Sequence, residues 1–496
     1  MKKFHIYFGL FFSYICFFIF FTASFGYFKN EFNLYMQPNL YTLEYKNQQY
    51  IDIGLNYLKE KHQNADLWEI TPPSSLKPYV AVSWNDDKKV LQKKANRPQV
   101  RLDSKTGEII GQHYTYGINF ISSMHYNLWF VDKKIARIIM AIFGLIFWFL
   151  LLSGIIIQSR KIFKDFFTLR AQVFLMDAHI ITAVSGIAIF TTLVLSGIYI
   201  ITSNLITPIY QDIGEQNNKI MQEKFKKQAI TKIEERKNTK DQNLTSIAKQ
   251  KTANKFTPDN KRIKELVFKN DKPIKSIKIQ REKADNGFLQ IDYVSNRYFT
   301  DDGIAFSAIA YDINSGKIVD EIESSKLNGA KKFTSFIKVF HNAKFANGSI
   351  NLLFFIFAML GVAMCVTGTL FYQKKNNLKT IKVLNNTVYI GLVLAVGIYL
   401  FSNQIIDSSI PKRLIYTTNS FFITLAILLI VSIVFVKKPL YEITSFVTSG
   451  IFLLISVVGV FQGALMNIES IKITILCLLF STFFTYIGFQ FKKVGI

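Results

Sequence analysis

Residues 178–203 read AHIITAVSGIAIFTTLVLSGIYIITS, without a Lys, Arg, Asp or Glu. A bilayer's hydrocarbon core, about 30 Å thick, is crossed by about 20 apolar residues in helical form, so 179–203 predicts a membrane-spanning helix. The run opens on His179, a polar group at the edge of an apolar segment. Seven more runs of this kind lie near 5–27, 136–158, 348–372, 385–403, 414–436, 443–465 and 470–490. Long polar stretches separate the first run from the second and the third from the fourth. After Lys374 there are four runs joined by short links.

Composition agrees with this reading. Of 496 residues, 50% are hydrophobic and 47 are Phe, with a mean hydropathy of +0.22, as suits an integral membrane protein carrying some soluble mass. The net charge of +25 comes from Lys and Arg that flank apolar runs or fill extramembrane segments. No aromatic-interleaved basic patch accompanies them, so no nucleic-acid partner is expected. Cys16, Cys365 and Cys477 all fall inside apolar stretches. They offer neither a disulfide framework nor a thiolate metal site and read as small buried hydrophobes.

Short links decide orientation, because Lys and Arg are retained on the cytoplasmic side. Lys2 and Lys3, then Arg160, Lys161, Lys164 and Arg170, then Lys374, Lys375, Lys379 and Lys382, then Lys437 and Lys438, and finally Lys492 and Lys493 alternate consistently along the chain. Both termini are therefore expected inside and both large polar segments outside. The first run also has the look of a signal peptide, with small residues at Thr22, Ala23 and Ser24. Its length exceeds the usual apolar region of about 7–15 residues, so it reads as an uncleaved anchor. Cleavage would remove His5.

The chain repeats its order of parts. The first half has a helix opening FHIYFGLFF (4–12), an external segment containing LDSKTGEIIG (102–111), His125, and a helix ending LLSGIII (151–157). The second has AHIITAVSG (178–186), YDINSGKIVD (311–320), His341, and CVTGTLF (365–371). Asp103 to Gly107 and Asp312 to Gly316 each join two strand-like runs. An Asp at the start, a hydroxyl residue fourth and Gly fifth suit a hairpin loop, with Asp accepting backbone N–H groups and Gly taking a positive φ.

These paired parts resemble the PepSY-associated transmembrane helix family of bacterial inner-membrane proteins, over roughly residues 1–375. The resemblance implies an integral membrane α-helical bundle of about eight transmembrane helices with two periplasmic α+β PepSY-like domains. The expected division is helix 1 over 1–27, a first PepSY-like domain over 28–135, helix 2 over 136–158, a cytoplasmic loop over 159–178, and helix 3 over 179–203. A second external domain follows over 204–347, with a polar spacer at 213–262 and a PepSY-like part at 263–325. Helix 4 covers 348–372, and a four-helix membrane region covers 373–496. Some members of the family serve iron uptake as siderophore reductases with b-type haem in their helices, so the resemblance implies an oxidoreductase of that kind.

Topology puts His5 and His179 at the cytoplasmic ends of their helices and His125 and His341 just outside theirs. Imidazole nitrogen binds haem iron axially, and two imidazoles fill both axial positions. His5 with His179 is expected to hold an inner haem b, and His125 with His341 an outer one. Taken singly, each also reads as an interface anchor, like Tyr or Trp in an aromatic belt. Equivalent placement in both halves favours the ligand reading. His62 and His113 have no counterpart in the second external segment and read as surface or strand residues. Gly144, Gly154, Gly186, Gly197, Gly361 and Gly368 give either close helix packing or room for a flat macrocycle. Ser153, Ser196 and Thr367, each just before one of those glycines, read as bonding to their own helix backbone. Arg137 and Arg170 read as interface residues or as partners of haem propionates.

No glycine-rich nucleotide fingerprint, phosphate loop, HExxH or Gly-x-Ser-x-Gly occurs. The cytoplasmic segments are too short for a flavin or nicotinamide domain. The expectation is an inner-membrane electron conduit that reduces a periplasmic ferric chelate or siderophore and draws electrons from membrane quinol or a separate cytoplasmic reductase. The alternatives are a membrane-tethered regulator of a periplasmic peptidase and a permease for a siderophore or small solute.

Overall fold

The computed structural model describes residues 1–46, 49–85, 97–111, 115–206, 257–281, 287–293, 308–322, 329–343, 348–436 and 439–494. Most of the spacer expected at 213–262, together with His113, lies outside them. Helix α1 is Lys2–Ser24, followed by α2 (Lys29–Tyr35) and α3 (Tyr50–Lys61). Strands β1 (Leu67–Thr71), β2 (Val80–Asn85) and β3 (Gln99–Leu102) lead to the short α4 (Asn119–Ser122) and then α5 (Lys133–Lys164). The Asp132 carboxylate starts α5 by accepting from the N–H groups of Lys134 and Ile135 at 2.9 and 3.3 Å. The second half repeats the order with α6 (Phe174–Ile206), α7 (Asn260–Val267), β4 (Ile274–Arg281), β5 (Gly287–Tyr293), β6 (Ala308–Asp312), β7 (Ile318–Ile322), α8 (Gly329–His341) and α9 (Gly348–Asn376). The C-terminal region contains α10 (Lys379–Leu384), a π-helical turn over Asn385–Ile390, α11 (Gly391–Ile405), α12 (Arg413–Val434), α13 (Leu440–Phe461) and α14 (Ile468–Val494).

Among the described residues eight helical stretches are long and apolar enough to cross a bilayer, at the places the hydropathy predicts. The chain is a multi-pass membrane protein. Helices α1, α5, α6 and α9 form a ring in which α1 touches α5 and α9, and α6 touches the same two.

The two extramembrane segments, expected as two domains, contribute to one antiparallel sheet of order β3-β2-β1-β4-β5-β6-β7. The halves meet at β1 and β4, where Trp68 lies opposite Ile279 and Ile70 opposite Ile277. That pairing removes an open edge from each half-sheet. Alternate side chains of β1, β2, β4 and β5, among them Trp68, Ile70, Val82, Ile277 and Leu289, pack with Leu55 and Leu58 of α3 and Ile263 of α7. Gly54 of α3 has no side chain because Ile70 fills the space, reaching within 2.9 Å of where a Cβ would stand. Helices α3 and α7 are joined by Lys264 to Asp52 at 2.9 Å and Asn260 to Asn56 at 3.1 Å.

Both predicted hairpin loops are present and share their bonding. Asp103 accepts from the N–H of Lys105 and of Thr106 at 2.7 and 3.1 Å, and Gly107 takes φ +76°. Asp312 accepts from the N–H and hydroxyl of Ser315 at 2.7 and 2.8 Å, and Gly316 takes φ +66°. The main chain closes each turn in the same way, with Gly107 N–H to Asp103 O at 3.0 Å and Gly316 N–H to Asp312 O at 2.8 Å.

The C-terminal helices join the ring through uncharged polar groups. Tyr14 of α1 donates to Asn385 Oδ1 at 2.9 Å, and both Asn385 Nδ2 and Tyr441 Oη donate to Gln373 Oε1 at 2.7 Å. Asn386 donates to Ser432 at 2.9 Å and accepts from Thr444 at 2.7 Å. In a medium without water such bonds join helices at a desolvation cost smaller than that of charges. Arg413, the first residue of α12, turns inward. It is 2% exposed and donates to the carbonyls of Asn403 and Ile406 at 2.7 and 2.8 Å.

Candidate functional site

His5 sits in the first turn of α1 with Nδ1 2.9 Å from Ser153 Oγ on α5. The Ser153 hydroxyl donates its one hydrogen to the Leu150 carbonyl at 2.8 Å, so toward the imidazole it can only accept. His341, at the end of α8, repeats the arrangement. Its Nδ1 is 2.9 Å from Ser196 Oγ, which donates to the Leu193 carbonyl at 3.1 Å. His179 on α6 donates from Nδ1 to the Met364 carbonyl of α9 at 2.8 Å. His125, in the 3₁₀ turn Ser123–His125, donates from Nδ1 to the Ser122 carbonyl. His125 and His179 face a carbonyl and so carry their hydrogen on Nδ1, and with the serine hydrogens given to Leu150 and Leu193 the same tautomer fits His5 and His341. Every Nε2 is left with a lone pair, and none has a hydrogen-bond partner among the described residues. One imidazole nitrogen anchored by a hydrogen bond with the other lone pair free is the preparation a metal ligand receives.

The glycines show why the rings can reach these partners. A methyl added at Gly154 would stand 3.1 Å from Cε1 of His5, one at Gly197 3.1 Å from Cε1 of His341, and one at Gly368 2.9 Å from Nδ1 of His179. Three of the six glycines singled out in the sequence thus seat an imidazole. The others take ordinary packing: Gly361 receives the ring of Phe20, Gly186 that of Phe190, and Gly144 faces Ile198 and Val194. Thr367, unlike the two serines, bonds only its own helix, donating to Ala363 O at 2.7 Å and Met364 O at 3.2 Å.

The structure brings His5 and His179 together, with ring centroids 6.4 Å apart and planes at 72°. Two imidazoles on opposite sides of one metal, with bonds of about 2 Å and ring centres about 1 Å behind each nitrogen, would have centroids about 6 Å apart. Around this pair is a cavity of about 590 Å³, lined by α1, α5, α6 and α9. Its walls include Phe147, Leu150, Leu151 and Ile180, Lys2, Lys3 and Lys375 line it too, and no carboxylate does. Such a volume suits a mostly apolar small molecule. Among the described residues no three His, Cys, Asp or Glu side chains converge. The pair therefore suits a metal whose remaining positions are filled by another ligand, as in a macrocycle, and not a bare ion that needs a full protein cage.

His125 and His341 lie on the sheet side of the ring of helices. Gly197, against which His341 rests, is 18 residues beyond His179, or about 27 Å along α6. The two pairs are thus separated by nearly the thickness of a hydrocarbon core. Burial, with the neighbouring His341, pushes His125 down to about 4, and burial alone does the same to His341. Both are neutral near pH 7, as ligation requires.

Arg170 is committed elsewhere. Its main-chain N–H, Nε and Nη2 bond Asp177 at 2.9, 3.0 and 2.8 Å, with Lys161 3.6 Å from the same carboxylate. Arg137 donates from Nε to Asn127 at 3.3 Å. Neither lines the cavity. The cations that do, Lys2, Lys3 and Lys375, were read in the sequence only as topology signals. His62 stacks on Trp84 with centroids 3.5 Å apart, an ordinary packing role.

No curated protein matches the chain. The sequence profile described as the PepSY-associated TM region matches residues 2–375, which hold the ring of four helices, the sheet and all four histidines, and the chain belongs to that family.

Proposed function

We propose that this protein is a transmembrane electron conduit of a bacterial inner membrane, with both termini cytoplasmic and the sheet in the periplasm. It carries two b-type haems and reduces a ferric chelate of the siderophore class. The observation that carries this reading is the shared state of the four imidazoles, each with Nδ1 anchored and Nε2 free, two on each side of the ring of helices. His5 and His179 would hold the inner haem and His125 and His341 the outer one. Held by these imidazoles, the haems would supply one-electron chemistry by outer-sphere transfer.

The residues of the chain do the rest. Ser153, Met364, Ser196 and Ser122 hold the imidazole hydrogens and so fix which nitrogen faces the metal. Phe147, Leu150, Leu151 and Ile180 give the inner site an apolar wall, and Lys2, Lys3 and Lys375 would supply positive charge for carboxylates of the cofactor. In the overall step one electron leaves a quinol or a separate reductase, which is oxidised, and one ferric ion is reduced to ferrous. Ferrous iron, less charged, is held less tightly by oxygen donors and is released.

The test uses proteoliposomes with dithionite inside and a ferric hydroxamate chelate with a chromogenic ferrous trap outside. The purified protein is expected to show a sharp low-spin α-band on reduction, and trapped ferrous iron is expected to accumulate outside at a rate set by protein content. Colourless protein from haem-replete cells, or coloured protein that gives no more ferrous iron than empty vesicles, contradicts the proposal.

A further inference from the structure

The four imidazoles are not seated alike. Three reach across to a different helix for their Nδ1 partner: His5 from α1 to α5, His179 from α6 to α9, and His341 from α8 to α6. His125 bonds only within its own turn, to the carbonyl of Ser122.

The repeat supplies the reason. Gly197 lies 18 residues beyond His179, and the residue 18 beyond His5 is Ala23. A methyl at Gly197 would crowd Cε1 of His341 to 3.1 Å, so the close approach made there depends on glycine. On α1, against which the turn bearing His125 packs, the matching place already carries that methyl. The hydroxyl before it is Thr22 where α6 has Ser196. Thr22 donates to the Phe18 carbonyl at 2.7 Å, and among the described residues no imidazole is bonded to it. The supports differ as well. His341 closes the 13-residue helix α8, which is tied to α6 by a 3.0 Å bond between Thr334 and Tyr199, whereas His125 closes a 3₁₀ turn of 3 residues.

We infer that His125 is the displaceable partner at the sheet-side pair, so that this site, and not the His5–His179 site, opens to a small neutral lone-pair donor. Carbon monoxide is the probe for the ferrous state and free imidazole for the ferric state. The inference rests on the electron-conduit reading above. A ring tethered only to its own turn leaves its place without breaking any bond between helices, which none of the other three can do.

The experiment is a carbon monoxide titration of the reduced, detergent-purified holoprotein, followed in the Soret band. In the wild type half of the haem is expected to form the adduct. Ala23→Gly, which recreates the seat found at Gly197, is expected to weaken carbon monoxide binding by about tenfold. Gly197→Ala, which removes that seat from His341, is expected to strengthen it. Adducts at neither site or equally at both, with two haems present, overturn the inference and leave the conduit reading standing, as does an affinity indifferent to both substitutions. Protein without haem overturns the conduit reading and the inference together.

Discussion

The ring of helices α1, α5, α6 and α9 and the C-terminal helices α10 to α14 both bury polar groups, but they finish the hydrogen bonding differently. Around the π-helical turn Gln373, Asn385, Asn386, Tyr441 and Thr444 bond one another from helix to helix, although Thr387 Oγ1 and Ser445 Oγ beside them have no partner among the described residues. In and beside the ring each of the four histidines is bonded at one nitrogen only, and at the His5–His179 pair the imidazoles border a cavity. Buried groups that bond one another across helices hold those helices together. A set of groups half-satisfied in the same sense, in pairs and at equivalent places, is arranged to hold something else.

That comparison can be broken by substitution, and the largest effect is expected in the ring. His179→Ala removes one axial partner and is expected to halve the haem-to-protein ratio, read by pyridine haemochrome, while the protein stays folded. Gly368→Val places a side chain where a Cβ alone would stand 2.9 Å from His179 Nδ1, and is expected to lose the same centre while the sheet-side haem remains. Ser153→Ala takes the acceptor from His5 Nδ1. It is expected to weaken haem retention at that site by about 10- to 100-fold, read as haem loss to apomyoglobin. The smallest effect is expected in the C-terminal region. Asn386→Leu removes the bonds to Ser432 and Thr444, the latter keeping only its own helix's Leu440 carbonyl, and is expected to cost about 1–2 kcal/mol, seen as a lower melting temperature with the haem spectrum unchanged. A spectrum altered by Asn386→Leu as strongly as by Ser153→Ala would erase the distinction between the two regions.

Much of this was legible in the residues because it depends on local signals. Apolar length gives the eight spans, Asp103 with Gly107 and Asp312 with Gly316 give the two turns, and positions at helix ends place His5 with His179 and His125 with His341. The joined sheet was not legible, since Leu67 and Gln280 pair across more than two hundred intervening positions and no local pattern names a strand's partner. The inward turn of Arg413 was hidden although its partners are near in sequence, because it depends on how the link after α11 folds back to bring the carbonyls of Asn403 and Ile406 to it. The Ser-Gly dipeptides were half legible. Their serines do bond their own helix, as expected, yet that bond commits the hydroxyl hydrogen and turns the oxygen into an acceptor for His5 or His341. Neither histidine is near its serine in sequence, so only the fold could reveal the pairing.

The central claim, two sites each closed by two imidazoles, is tested most directly by low-temperature electron paramagnetic resonance of the oxidised, purified protein. Two low-spin ferric signals with no high-spin component are expected, one of them lost with His179→Ala and the other with His341→Ala. A high-spin signal in the wild type, or low-spin signals indifferent to both substitutions, would contradict it.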